Sequence, residues 1–321
     1  MIYNTEIGTD ILLAKQFLDK EEIVAIPTET VYGLAASAFS EKAINSVYTA
    51  KKRPSTNPLI IHVANKDWIY ELAKEINEKA ALLIEKFMPG PLTLLLPKKK
   101  LVPDIVTSGM PNVAIRFPDH PIANNLLKKL DYPLAAPSAN PFGYISPTTA
   151  QHVYSQMNGK IPFILDGGKC TAGIESTIIG FRNGIPVIYR LGSVTISDIE
   201  HVVGPVTINA DTSQTVVPGM LKKHYSPRTP LLLTQNIDEV LNKHIGKKIG
   251  LLTYGTYSPS LPEEHQIVLG TIANMSVIAF NLYSAMHTMD VAGYDLIIVK
   301  RLPDEGIGKS INDRLNRAST L

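Results

Sequence analysis

The sequence predicts an α/β protein of two units, a larger mixed sheet followed by a smaller doubly wound one. Three observations carry that expectation. Short apolar runs alternate with stretches of helical periodicity along nearly the whole chain. Several connections are too short for crossover helices, so antiparallel pairs join the parallel ones. The chain has 321 residues, more than one ordinary core of ~100–200 holds, and a break at 204–229 divides it.

The elements follow in order. Ile11, Leu12, Ala14, Phe17 and Leu18 give residues 10–19 helical spacing, and "IVAIP" (23–27) reads as a buried strand. Ser40 caps a helix through Ala50 with Ala43, Ile44, Val47 and Tyr48 on one face. "LIIHV" (59–63) is a strand, 71–87 one amphipathic helix, "LTLLLP" (92–97) and "VAIRF" (113–117) strands, and 120–130 a helix. "PLAAPSAN" (133–140) is a short strand running into a polar loop, and Thr148 caps a helix to about Met157. "FILD" (163–166), "STIIGF" (176–181) and "PVIYR" (186–190) are strands, and 195–202 is a short helix. Residues 1–203 form the first unit. Residues 204–229 have few periodic apolar positions and many Thr, Ser, Pro and Gly, and read as a long linker. The second unit, 230–321, alternates strand "PLLL", helix 237–244, strand "KIGLLTY", strand "HQIVLG", a helix across 274–289, strand "YDLIIVK" and helix 310–318.

Composition narrows the function classes. With 45% hydrophobic and 19% charged residues and a formal charge of +2, the chain is globular and not a polycation. Nucleic-acid contact is restricted to local patches. The scattered clusters Lys51–Lys52–Arg53, Lys98–Lys99–Lys100, Lys222–Lys223 and Lys247–Lys248 read mostly as solvated surface. Cys170 is the only cysteine, which excludes an internal disulfide framework and Cys-based zinc sites and fits a reducing compartment. The N-terminus lacks a signal-peptide pattern, and no run approaches the ~18 apolar residues of a membrane span, so a cytoplasmic protein without membrane partners is expected.

The polar stretches suggest anion binding. In "KKRPSTNPLIIH" (51–62), Arg53 precedes proline and must leave the helix, so it can reach over a cleft, with or without Lys51. Its planar fork suits phosphate oxygens; the competing reading is a cation stabilising a helix C-terminus. By alternation His62 faces the same way as Ile60 and opposite Ile61 and Val63. Arg116 sits within a strand, where a buried cation is costly unless paired; a bound carboxylate would pair it. "PTETVYGLAASA" (27–38) offers hydroxyls at Thr28, Thr30 and Tyr32, and "APSANPFGYISPT" (136–148) gathers Ser138, Asn140 and Ser146 in a rigid loop. "DGGKCTAGIEST" (166–177) ends in Ser176–Thr177, and Arg190 closes a later strand. "PDEGIGKS" (303–310) is a failed phosphate loop, because Pro303 stands where glycine is required; Gly308 and Ser310 read as the start of the last helix. No nucleophile motif or metal-ligand spacing is present, which favours positioning and electrostatic stabilisation over covalent catalysis.

Taken together, "PTETVYGLAASA", "KKRPSTNPLIIHV", "PGPLTLLLP", "VAIRFPDHP", "PLAAPSANPFGYISPT", "GIESTIIGF" and "YRLG" resemble the YrdC-domain family, and specifically its long two-domain threonylcarbamoyl-adenylate synthases. "VPGMLKKHYSPRTP" and "GIGKSINDRLNRAS" look like that family's linker and C-terminal signature. The resemblance implies a twisted mixed sheet with a concave cleft plus a smaller Rossmann-like α/β domain, joined by a linker that closes over the site. It implies that L-threonine, bicarbonate and ATP, with Mg²⁺ borne by the nucleotide and no metal held by the protein, give threonylcarbamoyl-AMP and pyrophosphate. A separate tRNA-modifying transferase complex would use the adduct. Carried over by motif, Thr30, His62, Arg116, Ala136 and Ser176 form the threonine pocket. Lys51, Arg53, Asn57, Asn112, Ser138, Ser146 and Arg190 hold ATP, and His224 or Tyr225 reaches back from the linker. The sequence departs from the family at Ala35–Ala36, where glycine often follows Leu, and at Asn112, where threonine is common. A non-catalytic RNA-binding module, a carbamoyl-adenylate enzyme of the hydrogenase-maturation kind, and a threonine- or nucleotide-sensing regulator are the rival readings; weak RNA binding is a further partner expectation.

Overall fold

A computed structural model describes residues 3–209, 217–220 and 223–319. Residues 210–216 and 221–222 of the expected linker, including Lys222, lie outside the described residues.

The strands of the first unit are β1 (Glu6–Gly8), β2 (Val24–Ile26), β3 (Gly33–Ser37), β4 (Ile60–His62), β5 (Leu92–Pro97), β6 (Asn112–Arg116), β7 (Leu134–Ala135), β8 (Phe163–Leu165), β9 (Thr177–Arg182), β10 (Ile185–Arg190) and β11 (Thr207–Ile208). Among the described residues they form one sheet in the order β1-β8-β2-β3-β7-β4-β6-β5-β9-β10-β11. The sheet is mixed, as the short connections require. β4 runs parallel to β6, whereas β3 and β4 are both antiparallel to β7.

Period-two alternation sorts the central strands onto two faces. Ile61, Val63, Leu94, Leu96, Val113, Ile115, Ile179 and Ile188 enter the main core. Onto that core pack α2 (Glu41–Lys51) through Ala43, Ile44 and Val47, α4 (Glu78–Phe87) through Leu83 and Ile84, and α8 (Ile196–Val203) through Ile199. Each Val, Leu or Ile among them contributes about 1.5–3 kcal/mol by leaving water. The opposite face presents Ile60, Leu95, Ala114 and Ile178, and the linker residues Val217 and Met220 cover them. α1 (Ile11–Asp19) and α6 (Pro121–Lys128) close the other end of the sheet over Phe163 and Leu165.

Several boundaries differ from expectation. Residues 71–87 are two helices, α3 (Asp67–Leu72) and α4. The chain breaks between them because Ala73 bridges Lys98, and Asn77 caps α4 by accepting the Ala80 N–H at 2.8 Å. The cap of α7 (Ala150–Met157) is Thr149, not Thr148. α5 (Asp104–Thr107) and the edge strands β1 and β11 are too short for a period to show, and β11 lies inside the stretch read as linker. β3 was hidden in "PTETVYGLAASA": its small residues do not alternate in hydrophobicity, yet Ala35 pairs with Val24 and Ala36 with Ala135.

The second unit is a parallel sheet of β12 (Leu231–Thr234), β13 (Ile249–Thr253), β14 (Gln266–Val268) and β15 (Leu296–Lys300), ordered β12-β15-β13-β14. Its helices are α9 (Ile237–Lys243), α10 (Met275–Val291) and α11 (Gly306–Ala318). α11 begins at Gly306, four residues before the expected start at 310. The two units share a core, with Val31, Ile145 and Ile174 packed among Tyr225, Ile278, Leu282, Tyr283 and Leu315. Gly173 marks the closest approach. Its φ is +76°, and a Cβ there would lie 2.5 Å from the backbone of α10 at Ala279 and Phe280.

Candidate functional site

Register puts two of the expected site residues together. In the β4–β6 pair His62 lies opposite Arg116, so both emerge on the face not filled by the helices. Around them a cavity is lined by Thr30, Arg53, Ala136, Ser138, Ser176, Arg190, His224 and Tyr225. Ten of the fourteen expected residues therefore converge.

Arg116 is 4% exposed. Its Nη1 donates to Thr30 Oγ1 at 2.8 Å, and its Nη2 lies 2.7 Å from Glu29 Oε1. The protein itself thus supplies a carboxylate to the buried cation, a partner the sequence did not reveal. The pairing is incomplete: Nη2 and both Glu29 oxygens have no aligned hydrogen bond among the described residues. Thr30 is fixed by Thr28, whose hydroxyl bonds the Val31 carbonyl at 2.6 Å and the Thr30 hydroxyl at 2.8 Å.

His62 Nδ1 lies 3.2 Å from the Ile60 carbonyl. A carbonyl only accepts, so Nδ1 carries the proton and Nε2 is an acceptor. Burial, with the Arg116 charge beside it, lowers the imidazole pKa to about 3, so the ring is neutral. His224 is likewise lowered to about 3 by burial, against the pull of Glu175.

Helix α2 delivers Arg53. Lys52 ends the helix in a left-handed conformation at φ 53°, and the chain turns toward the cavity. Arg53 then donates to Asn57 Oδ1 at 2.6 Å, Asn57 O at 3.0 Å and Pro58 O at 2.8 Å. Burial lowers its pKa to about 10, which leaves it charged at neutral pH. Arg190 reaches the Ser176 carbonyl at 2.8 Å, Ser176 Oγ at 3.0 Å and the linker's Pro218 carbonyl at 3.2 Å.

Lys51, Asn57, Asn112 and Ser146 do not line the cavity. Lys51 is buried behind it, and Nζ donates to the carbonyls of Ser138 and Asn140, so it braces the loop that presents Ser138. Burial, then the neighbouring Arg53 charge, pushes its pKa well down. Asn57 positions Arg53. Ser146 donates to Glu175 at 2.7 Å. Asn112 borders a separate hollow of about 170 Å³ with Leu95 and Tyr189. Val217 and Met220 sit on Ile60 and Leu95, which belong to the two hollows. Ala35 and Ala36, noted above as departures from the family pattern, are fully buried in the sheet and do not line the cavity.

Two acidic residues were missed by sequence reasoning. Glu29 lies between two threonines and Glu175 precedes Ser176, and no spacing or motif sets either apart. Glu175 lines the cavity and pairs with Arg314 at 2.9 Å. Burial would raise its pKa, but the Arg314 and Arg190 charges and the Ser146 hydroxyl hold it at about 2.

The cavity has a volume of about 50 Å³, against ~300–1,000 Å³ for usual ligand pockets. It is closed by the linker at Pro218, Gly219, His224 and Tyr225. A larger surface groove of about 720 Å³ beside Lys20, Glu21, Lys42 and Lys160 lacks the converging arginines and histidine. Among the described residues no group of three or more His, Cys, Asp or Glu is placed to hold a metal. No described helix is long and apolar enough to cross a membrane.

The fold and site define a two-domain α/β protein with an arginine-lined cavity beneath residues of the linker. The family model described as telomere recombination (Sua5/YciO/YrdC) matches residues 16–192, and the model described as threonylcarbamoyl-AMP synthase, C-terminal domain, matches residues 194–320. The chain belongs to the Sua5/YciO/YrdC family. It is 39% identical to the threonylcarbamoyl-AMP synthase of Pyrococcus abyssi, over 96% of this chain and 94% of that one. It is also 39% identical to the Bacillus subtilis threonylcarbamoyl-AMP synthase, over 95% of this chain and 92% of that one. The crystal structure of P. abyssi Sua5 complexed with L-threonine superposes with a TM-score of 0.89 at 38% identity, covering 99% of this chain and 98% of that one.

Proposed function

We propose that the chain is an L-threonylcarbamoyladenylate synthase, a nucleotidyltransferase that turns L-threonine, bicarbonate and ATP into threonylcarbamoyl-AMP, pyrophosphate and water. The observation that carries this reading is the register pair His62–Arg116 in one cavity with Thr30, Ser176, Arg53 and Arg190. It supports an amino-acid site and a phosphate site that share that cavity.

Arg116, incompletely satisfied by Glu29, takes the threonine carboxylate. The His62 Nε2 acceptor receives a substrate N–H or O–H. Ser138, Arg53 and Arg190 hold the phosphates, which arrive with Mg²⁺ as part of the nucleotide substrate. Threonine's amine adds to carbon dioxide derived from bicarbonate, the carbamate oxygen attacks the α-phosphorus, and pyrophosphate leaves. The fixed arginines stabilise charge on the phosphoryl oxygens without reorganising, which is where preorganised sites gain most. A cavity of about 50 Å³ admits these substrates only after the strap at Pro218–Gly219 and His224–Tyr225 withdraws. The adduct then passes to a tRNA-modifying transferase in the cytoplasm.

The deciding experiment is mass spectrometry of the protein with Mg-ATP, L-threonine and bicarbonate, with pyrophosphate release followed in parallel. A threonine- and bicarbonate-dependent adenylate is expected. Bound ATP with no adduct would overturn the reading in favour of a nucleotide sensor.

A further inference from the structure

The second domain braces one residue of the cavity wall, Glu175, from behind. Arg314, on the buried face of α11, is 1% exposed. Its Nε donates to Glu175 Oε2 at 2.9 Å, its Nη2 to the Leu191 carbonyl at 2.6 Å, and its Nη1 to Asp313 at 2.9 Å. Its guanidinium carbon sits 5.3 Å from the centroid of the Tyr225 ring. Glu175 also accepts Ser146 Oγ at 2.7 Å and Tyr283 OH at 3.0 Å. This network joins the first domain, the linker and both long helices of the second.

Its place beside Arg190 gives it chemical meaning. Glu175 is the residue before Ser176, and Arg190 is bonded to Ser176. Both charges line the same cavity, and each shifts the other's titration. A buried carboxylate without a counter-charge is expensive and takes the nearest cation. With Arg314 removed, that cation is Arg190. A guanidinium neutralised by a protein carboxylate is a poor phosphate ligand.

We propose that Arg314 is a positioning residue of the nucleotide subsite: it holds Glu175 off Arg190 and so leaves the Arg190 charge to a bound phosphate. The inference rests on the reading that Arg190 faces the nucleotide.

The test is calorimetric titration of ATP, and separately of inorganic pyrophosphate, into the wild type, Arg314→Met, and the double variant Glu175→Gln/Arg314→Met, with thermal melting of each. Arg314→Met is expected to bind both anions roughly 10–100-fold more weakly, the order expected for losing one charge-assisted contact. The double variant, with no competing carboxylate, is expected to recover most of that affinity. In Arg314→Met, binding is also expected to tighten as the pH falls and Glu175 takes a proton, whereas the wild type gains nothing over the same range. A role confined to domain docking would leave the double variant as weak as the single one, and that result overturns the proposal. So does wild-type affinity in Arg314→Met. If Arg314→Met does not fold, the double variant decides alone, since a folded double variant with weak binding contradicts the proposal. Wild-type protein that binds pyrophosphate yet forms no adduct would sink the synthase reading and leave the Arg314 result standing. Wild-type protein that binds neither anion overturns both.

Discussion

Arg53 and Lys51 stand two positions apart and have different tasks. Arg53 is held by three hydrogen bonds to Asn57 and Pro58 and faces the cavity, whereas Lys51 is spent on the carbonyls of Ser138 and Asn140. Arg53→Ala is expected to lower adduct formation roughly 10²-fold, the order for one lost transition-state charge contact. It should leave the melting temperature within a few degrees, and near-normal turnover would remove Arg53 from the site. The neutral state of His62 makes a second prediction. Its ring should not titrate between pH 8 and 5, because burial and Arg116 hold its pKa at about 3. An imidazole chemical-shift titration checks this, and a midpoint near 6 would refute the closed, dry pocket. At this scale the sequence pointed to ten residues that the structure gathers around one cavity, but not to how they are satisfied. A cation in "VAIRF" announced that it needs a partner; only the fold could say that Glu29, eighty-seven positions earlier, is one.

Strands reveal themselves by alternation, and the central ones did. "LIIHV" separates Ile61 and Val63 from Ile60 and His62, and the structure sends the first pair to the core and the second to the cavity. β3 did not, because Gly33, Leu34, Ala35 and Ala36 present no polar–apolar contrast when both faces are buried. The single helix expected at 71–87 failed for another reason. Tertiary pairing of Ala73 with Lys98 overrides a periodicity that continues through the break. The contact between the Gly173 loop and α10 permits a prediction at this scale. Gly173→Ala is expected to cost about 1–3 kcal/mol, since it combines a left-handed backbone with a steric clash against a helix. Urea unfolding would measure it, and an unchanged midpoint would mean that the loop and α10 are not packed as described.

The length and the break near 204 made two units legible. The shared core between them was not, because Val31, Ile145 and Ile174 look in sequence like any buried residues of the first unit. Nor could the scattered histidines be seen as a set. His62, His224 and His287 are lowered to about 3, and His152 to about 4, each chiefly by burial. His152 and His287 also face each other across the two units with ring centroids 4.2 Å apart. A histidine with a depressed folded pKa contributes nothing to pH dependence above its unfolded value near 6.5. Below it the unfolded chain binds more protons, so stability falls as the pH falls from about 6.5 toward 4. Glu175, held at about 2, extends the loss below its unfolded value of 4.5. Melting temperatures are therefore expected to be level between pH 7 and 8 and to drop steeply from pH 6 to pH 4. A flat profile would contradict the burial of these groups.

The narrowness of the resting cavity bears on the fate of whatever is made there. A volume of about 50 Å³ is far below that of a nucleotide adduct, so the closure over Pro218 and Tyr225 belongs to the empty site. On the proposed reading, any adduct holds the strap away for as long as it stays, and the return of Pro218 and Tyr225 to their places marks its departure.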